Sequence, residues 1–182
     1  MEETERDVKA ERQKVYDIFD ELGIPFKVFE HPPINSAAER ISQGVEVDGV
    51  ICKNLFLRNK EKSRYYLYTL PIDKRADLAA LQKMLGETRL SFGDPDALWD
   101  RLYITPGSVS LLNIIGERAA ALNSAEARPL PQLKFLIDSE ALSAEPGIGL
   151  HPNDNAATVV FKAEHLKLLL DHYGADYEFI TI

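Results

Sequence analysis

The sequence predicts an α/β fold: one domain, residues 1–182, built on a mixed β-sheet surrounded by helices. Three observations carry this. Helical and strand patterns interleave along the chain, which calls for helices layered on a sheet. Two of the strands are joined by a short polar loop, so the sheet contains a hairpin and is not purely parallel. A length of 182 residues, 45% apolar and 27% charged, suits one domain with a substantial core.

The elements follow in order. A first helix over residues 7–22 places Val15, Ile18, Phe19 and Leu22 at the spacing of one buried face. Gly23 ends it and Pro25 blocks its continuation. Residues 26–29 alternate as a strand, and His31-Pro32-Pro33 stops it, because proline donates nothing to a ladder. Ser36-Ala37-Ala38-Glu39 is a capping-box pattern for a short helix ending near Gly44. Residues 49–58 and 64–70 are the hairpin strands, joined by loop 59–63. Residues 77–85 form a helix with Leu78, Leu81 and Leu85 inward and Gly86 as its stop. Asp94-Pro95 opens a further helix through Leu98 and Leu102. Thr105-Pro106-Gly107-Ser108 is a turn, and 109–115 reads as a less regular strand. Residues 116–132 have no clear period and read as a strand end plus an exposed excursion. Strands at 133–138 and 156–161, a helix at 164–173 and a closing strand at 177–182 complete the chain.

Composition narrows the function classes. The single cysteine, Cys52, rules out an internal disulfide and a multi-cysteine zinc site. No apolar stretch is long enough to span a bilayer, and the charged N-terminus lacks the apolar core of a signal peptide. A cytoplasmic protein with no membrane association is the expectation. The net charge of −8 argues against a surface that coats nucleic acid, though not against a local contact with a nucleic-acid end.

The chemistry concentrates in two places. The first is Cys52-Lys53-Asn54-Leu55-Phe56-Leu57, an apolar strand with a lysine and an amide in its middle. Burying either without a partner costs several kcal/mol, roughly. Lys53 is either a cation at the floor of a pocket or a lysine that snorkels to water. Asn54 is either a ligand-binding amide or a support for the backbone. On a regular strand the two face opposite ways. The second place is Gly147-Ile148-Gly149-Leu150-His151-Pro152-Asn153-Asp154-Asn155. Its glycines allow close approach of the backbone, their N–H groups suit an anion nest, and His151 suits acid–base or hydrogen-bonding work. The plain alternative is a turn. Cys52 has no activating base in the sequence and reads as a core residue. P-loop, GxGxxG and GxSxG motifs are missing.

In order and spacing, five pieces resemble the YbaK/prolyl-tRNA-editing family, and most of all its free-standing branch that deacylates alanyl-tRNA(Pro). They are Glu30-His31-Pro32-Pro33, Lys53-Asn54-Leu55-Phe56-Leu57, Arg89-Leu90-Ser91-Phe92, Thr105-Pro106-Gly107-Ser108-Val109, and His151-Pro152 with Asn155 and Thr158. The resemblance implies one pocket for the aminoacylated end of a tRNA and hydrolysis of the ester to its terminal adenosine, with no metal and no cofactor. Lys53 matches the family's essential lysine, and Asn54 and His151 match neighbouring catalytic positions. Gly147, Gly149, Asn155, His31, Arg89 and Ser108 are the substrate-binding positions carried over. Expected partners are the acceptor end of aminoacylated tRNA and prolyl-tRNA synthetase. The chain departs from the family at Ser110-Leu111-Leu112-Asn113 and in the length of 116–132. Lys53, Arg58, Lys60, Lys62, Arg64 and Arg89 are candidate cations toward the acceptor end. Two competing readings remain: a non-catalytic module that senses an amino acid or charged tRNA, and a deacylase for cysteinyl-, seryl- or threonyl-tRNA.

Overall fold

A computed structural model describes residues 8–34, 37–102, 104, 106–115 and 132–182. Its elements, in chain order, are α1 (Val8–Glu21), β1 (Phe26–Glu30), α2 (Ala37–Gln43), β2 (Val50–Asn59), β3 (Arg64–Pro71), α3 (Leu78–Met84), β4 (Leu90–Phe92), α4 (Pro95–Leu102), a 3-10 helix (Leu111–Ile114), β5 (Gln132–Asp138), α5 (Ser139–Leu142), β6 (Ile148–Leu150), β7 (Ala157–Phe161), α6 (His165–His172) and β8 (Asp176–Ile180). The predicted hairpin is the centre of the sheet. Cys52 to Arg58 pair antiparallel with Pro71 to Tyr65, and Asn59 makes the turn by accepting the N–H groups of Ser63 and Arg64 at 3.0 and 3.2 Å.

The strands run β1-β7-β6-β2-β3-β5-β8 in one mixed sheet, with β4 also on β2. Side-chain alternation splits the core in two. Cys52 and Phe56 of β2 join Val15 and Phe19 of α1, Leu98 and Leu102 of α4, and Leu166, Leu169 and Leu170 of α6 on one face. Leu57, with Leu55 beside it, joins Tyr66, Tyr68, Leu70 and Leu81 of α3 on the other. Lys53 shares the parity of Leu55 and Leu57, so it belongs to the α3 face.

One topological detail builds the site. β3 pairs with Cys52 through Arg58 along one edge of β2. On the opposite edge, β6 pairs only with Val50 and Ile51, and β4 only with Leu57, Arg58 and Asn59. Among the described residues, no strand pairs with residues 52–56 on that side.

The structure corrects two of the expectations. Residues 111–114 are a 3-10 helix, not a strand. Ser110 caps it, accepting from Leu112 N–H while the Asn113 side chain accepts from Ser110 N–H. All four of its residues are buried, which erases the apolar–polar period that would have distinguished helix from strand. The segment around Gly149 is a strand inside the sheet, not a glycine loop: Gly149 pairs with Ile51 on one side and Val160 on the other. The predicted capping residue Ser36 and all but the last residue of the 116–132 stretch lie outside the described residues.

The glycines serve packing. A Cβ on Gly149 would stand 2.8 Å from Ile51 Cδ1 and 3.1 Å from Thr158 Cγ2. On Gly147 it would stand 2.5 Å from the Phe161 carbonyl oxygen and 2.8 Å from its carbon. That obstacle is main chain, which cannot step aside without parting β7 from its neighbour. Gly147→Ala is therefore expected to destabilise the protein by about 3 kcal/mol, the upper range for overpacking. A urea midpoint equal to that of the wild type would show that close approach is not what this glycine provides.

Candidate functional site

Four consecutive residues, Ile51, Cys52, Lys53 and Asn54, line one cavity of about 250 Å³. A strand flanked on both edges would turn two of them away from any one side. The open edge of β2 removes that restriction, because a cavity set beside a strand meets side chains from both faces. The main chain takes part as well. Ile72 N–H bonds the Ile51 carbonyl, so the odd-numbered residues of β2 turn their main-chain groups to β3 and the even-numbered ones turn theirs to the open edge. There Val50 N–H reaches Gly147 and the Phe56 carbonyl accepts from Gly93, both at 2.9 Å. Asn54 stands between these anchors with its main chain against the cavity.

Lys53 is half-buried, and its Nζ donates to the Ile72 carbonyl at 2.9 Å. An ammonium has three donors, so two remain for the cavity. Ile72 lies in the turn after β3, which Lys74 ties down by ion pairs to Asp138 and Glu140. The Asn54 carbonyl oxygen accepts from Thr69 Oγ1 at 2.8 Å and from Leu111 N–H at 3.1 Å. Its oxygen braces β3 and the 3-10 helix, and its NH2 group is the half free for a ligand. The support reading of Asn54 holds at the oxygen end of the amide.

His151 sits across the cavity, just after β6. Its Nδ1 lies 3.0 Å from the Ala157 carbonyl. A carbonyl only accepts, so Nδ1 carries the proton and Nε2 is the acceptor in the neutral ring. Burial pulls the His151 pKa below its ordinary value against the support of the Ala157 bond. His31, with ring centroid 6.1 Å from that of His151, has both nitrogens occupied: Nδ1 on the Pro32 carbonyl and Nε2 on Thr158 Oγ1, each at 2.9 Å. It braces the wall behind His151.

The other positions carried over from the sequence divide. The Asn155 carbonyl accepts from Ile34 N–H at 2.9 Å and so fixes Ile34, which lines the cavity. Ser108 lies between the lining residues Gly107 and Val109, and its carbonyl accepts from Asn113. Gly147 and Gly149 act behind the wall, as packing in the sheet. Arg89 is exposed beside β4, at the far end of β2 and roughly 20 Å along the strand from Lys53. Of the candidate cations, Arg58 and Lys62 flank Asp94 at 4.0 and 3.2 Å, and Arg64 faces Glu87 at 3.3 Å. Their charge is largely spent locally. Burial pushes the Cys52 thiol up to about 12, so it stays protonated and is no nucleophile.

Sequence reasoning passed over what holds the far wall. Asn153, at φ +62° and 1% exposed, donates to the carbonyls of Ile115 and Glu11 and accepts from Asn113 at 3.0 Å. Arg12 of α1 meets Asp154 at 2.5 Å. These buried ties clamp the turn after His151 to α1 and to the 3-10 helix. Arg40 of α2 also lines the cavity, and no sequence pattern marks a lone helical arginine. Among the described residues, no three His, Cys, Asp or Glu side chains converge as a metal site, and no helix is long and apolar enough to cross a membrane.

Comparison with known proteins agrees with this architecture. Residues 31–169 match the model of the aminoacyl-tRNA editing domain. The chain is 31% identical over 171 residues to the prolyl-tRNA editing protein ProX of Acetoanaerobium sticklandii, covering 94% of this chain and 97% of that protein. It is 28% identical over 158 residues to the mouse prolyl-tRNA synthetase associated domain-containing protein 1, covering 85% and 86%. Among solved structures, a proposed trans-editing enzyme for prolyl-tRNA synthetase shares the fold with a TM-score of 0.60 at 20% identity, covering 93% of this chain and 95% of that one. Matched over most of its length, from His31 through the cavity to α6, the chain belongs to the aminoacyl-tRNA editing domain family.

Proposed function

We propose that the protein is a trans-editing hydrolase of mischarged tRNA(Pro), with alanyl-tRNA(Pro) as its substrate. The observation that carries this reading is the convergence of Lys53, Asn54 and His151 on one small cavity at the open edge of β2. The name of the similar ProX protein supports the prolyl context. Water adds to the ester carbonyl carbon, the bond from that carbon to the ribose oxygen breaks, and the ribose leaves as a hydroxyl after taking up a proton. No covalent intermediate with the protein is required. The Lys53 ammonium stabilises the charge that develops on oxygen, and the Asn54 amide donates to the same region. His151 Nε2 accepts from the attacking water or the ribose hydroxyl. Editing answers a limit of binding, since one missing methylene is worth only about 1–3 kcal/mol. A second, smaller pocket that admits alanine and excludes proline supplies the rest.

Incubation with alanyl-, cysteinyl-, seryl- and prolyl-tRNA(Pro), followed by measurement of ester loss, tests this. Selective release of alanine is expected. Release of another residue changes the substrate, and binding without release leaves a sensor in place of an enzyme.

The pH dependence should follow His151. The fold favours its neutral form, so its contribution to stability is present above the unfolded value near ~6.5 and is lost as pH falls through the lower folded value. Hydrolysis should therefore stay level from neutral pH down to about 6.5 and decline only below it. A His151→Gln variant that keeps the same acid limb would assign that limb to another group.

A further inference from the structure

The cavity holds a second cation that the mechanism leaves unused. Arg40 projects from α2 into the wall, half-buried and lining the same space as Lys53 and His151. Among the described residues its guanidinium makes no hydrogen bond and no ion pair within 4.0 Å. Asp73 acts on it only from beyond that distance, and burial draws its pKa down from the ordinary value. An arginine stays charged at neutral pH all the same. A guanidinium held partly out of water without a protein partner is unfavourable unless a ligand supplies the anion.

The chemistry of the substrate says which anion. The aminoacyl group carries an ammonium, which repels a cation, and a neutral ester whose developing charge falls to Lys53. The nucleotide end carries fixed negative charge only on its phosphates. The planar fork of arginine matches two phosphate oxygens at once, which the single ammonium of Lys53, already tied to Ile72, does not. The apolar side chains of Ile34, Ile51 and Val109 are then left for the amino acid.

We propose that Arg40 is a substrate-binding residue that grips the phosphate joining the last two nucleotides of the tRNA acceptor end. The inference rests on reading the cavity as an aminoacyl-tRNA site. It fixes the orientation of the substrate, with phosphate toward α2 and the amino acid toward the turn at Gly107 and Val109.

Binding of the trinucleotide CCA tests it, compared with CCA carrying a neutral methylphosphonate at the last linkage and with free alanine. The wild type should bind charged CCA about tenfold more tightly than the neutral form, the scale of one charge-assisted contact. Arg40→Ala should erase that difference without weakening the neutral ligand, and Arg40→Lys should restore part of it. On alanyl-tRNA(Pro), Arg40→Ala should raise KM about tenfold with kcat within twofold. Equal affinity of the wild type for charged and neutral CCA would overturn the proposal. So would an Arg40→Ala variant that loses free alanine and keeps CCA, since the anion would then be an amino-acid carboxylate. A wild type that hydrolyses nothing but loses its phosphate preference in Arg40→Ala would sink the deacylase and leave this site standing.

Discussion

Lys53→Ala is expected to remove aminoacyl-ester hydrolysis, by roughly 10²–10³-fold or more, the cost of deleting one group that stabilises developing charge. The same substitution should leave the fold intact. Lys53 sits within β2, where main-chain pairing from Cys52 to Arg58 holds the strand against β3 without its side chain. Among the described residues its ammonium has one hydrogen bond, to the Ile72 carbonyl at 2.9 Å, which borders the open cavity and can turn to water. The expected change in stability is therefore within about 1 kcal/mol, the value for one partly solvated hydrogen bond. Single-turnover deacylation beside a thermal melt separates the two effects. Retained turnover in a folded Lys53→Ala protein would sink the proposed mechanism. Lys53→Arg should recover little, since a planar fork cannot take the place of a compact ammonium tied to one carbonyl.

The position of Lys53 also shows how far the sequence could be read. A charge in an apolar strand was legible as an anomaly, and the alternation of Leu55 and Leu57 against Cys52 and Phe56 was legible as two faces. The meeting of Lys53 and Asn54 in one cavity was not. It depends on β4 and β6, strands of three residues each, too short to show a period and paired with a distant part of the chain. The glycines around Ile148 looked like a loop because glycine marks turns far more often than close-packed strands. The clamp of Asn113 on Asn153 and of Arg12 on Asp154 joins residues far apart in sequence, and each of them alone is an unremarkable polar side chain. Residue types were readable locally, whereas the open edge that makes them a site is a property of the completed sheet.

The second large effect is expected at Asp138, which lies outside the cavity. It is fully buried at the end of β5, where Tyr68 Oη donates to it at 2.6 Å, Lys74 Nζ meets its two oxygens at 3.1 and 3.0 Å, and its Oδ1 caps α5 through Glu140 N–H at 3.0 Å. Burial and then the Asp138 bond raise the Tyr68 pKa, so the phenol remains a donor, and among the described residues Asp138 is its partner. Asp138→Ala strands the buried Tyr68 hydroxyl and leaves Lys74 held by Glu140 alone. Breaking such a group by removing one partner costs about 3–5 kcal/mol. For a chain of this size that lowers the midpoint of thermal unfolding by roughly 10 °C. The substitution should also slow hydrolysis at temperatures where the variant is fully folded. Lys74 tethers the turn whose Ile72 carbonyl orients Lys53, so freeing that turn loosens the ammonium at one remove. Tyr68→Phe separates the two consequences. It removes the phenol bond but keeps the Lys74 tie, and it should cost stability while leaving the rate per folded molecule near that of the wild type. If Asp138→Ala and Tyr68→Phe slow the folded enzyme equally, Lys53 is not positioned through Lys74. If neither lowers stability by more than about 1 kcal/mol, the buried carboxylate is not the pin between β3, β5 and the turn that the geometry makes it.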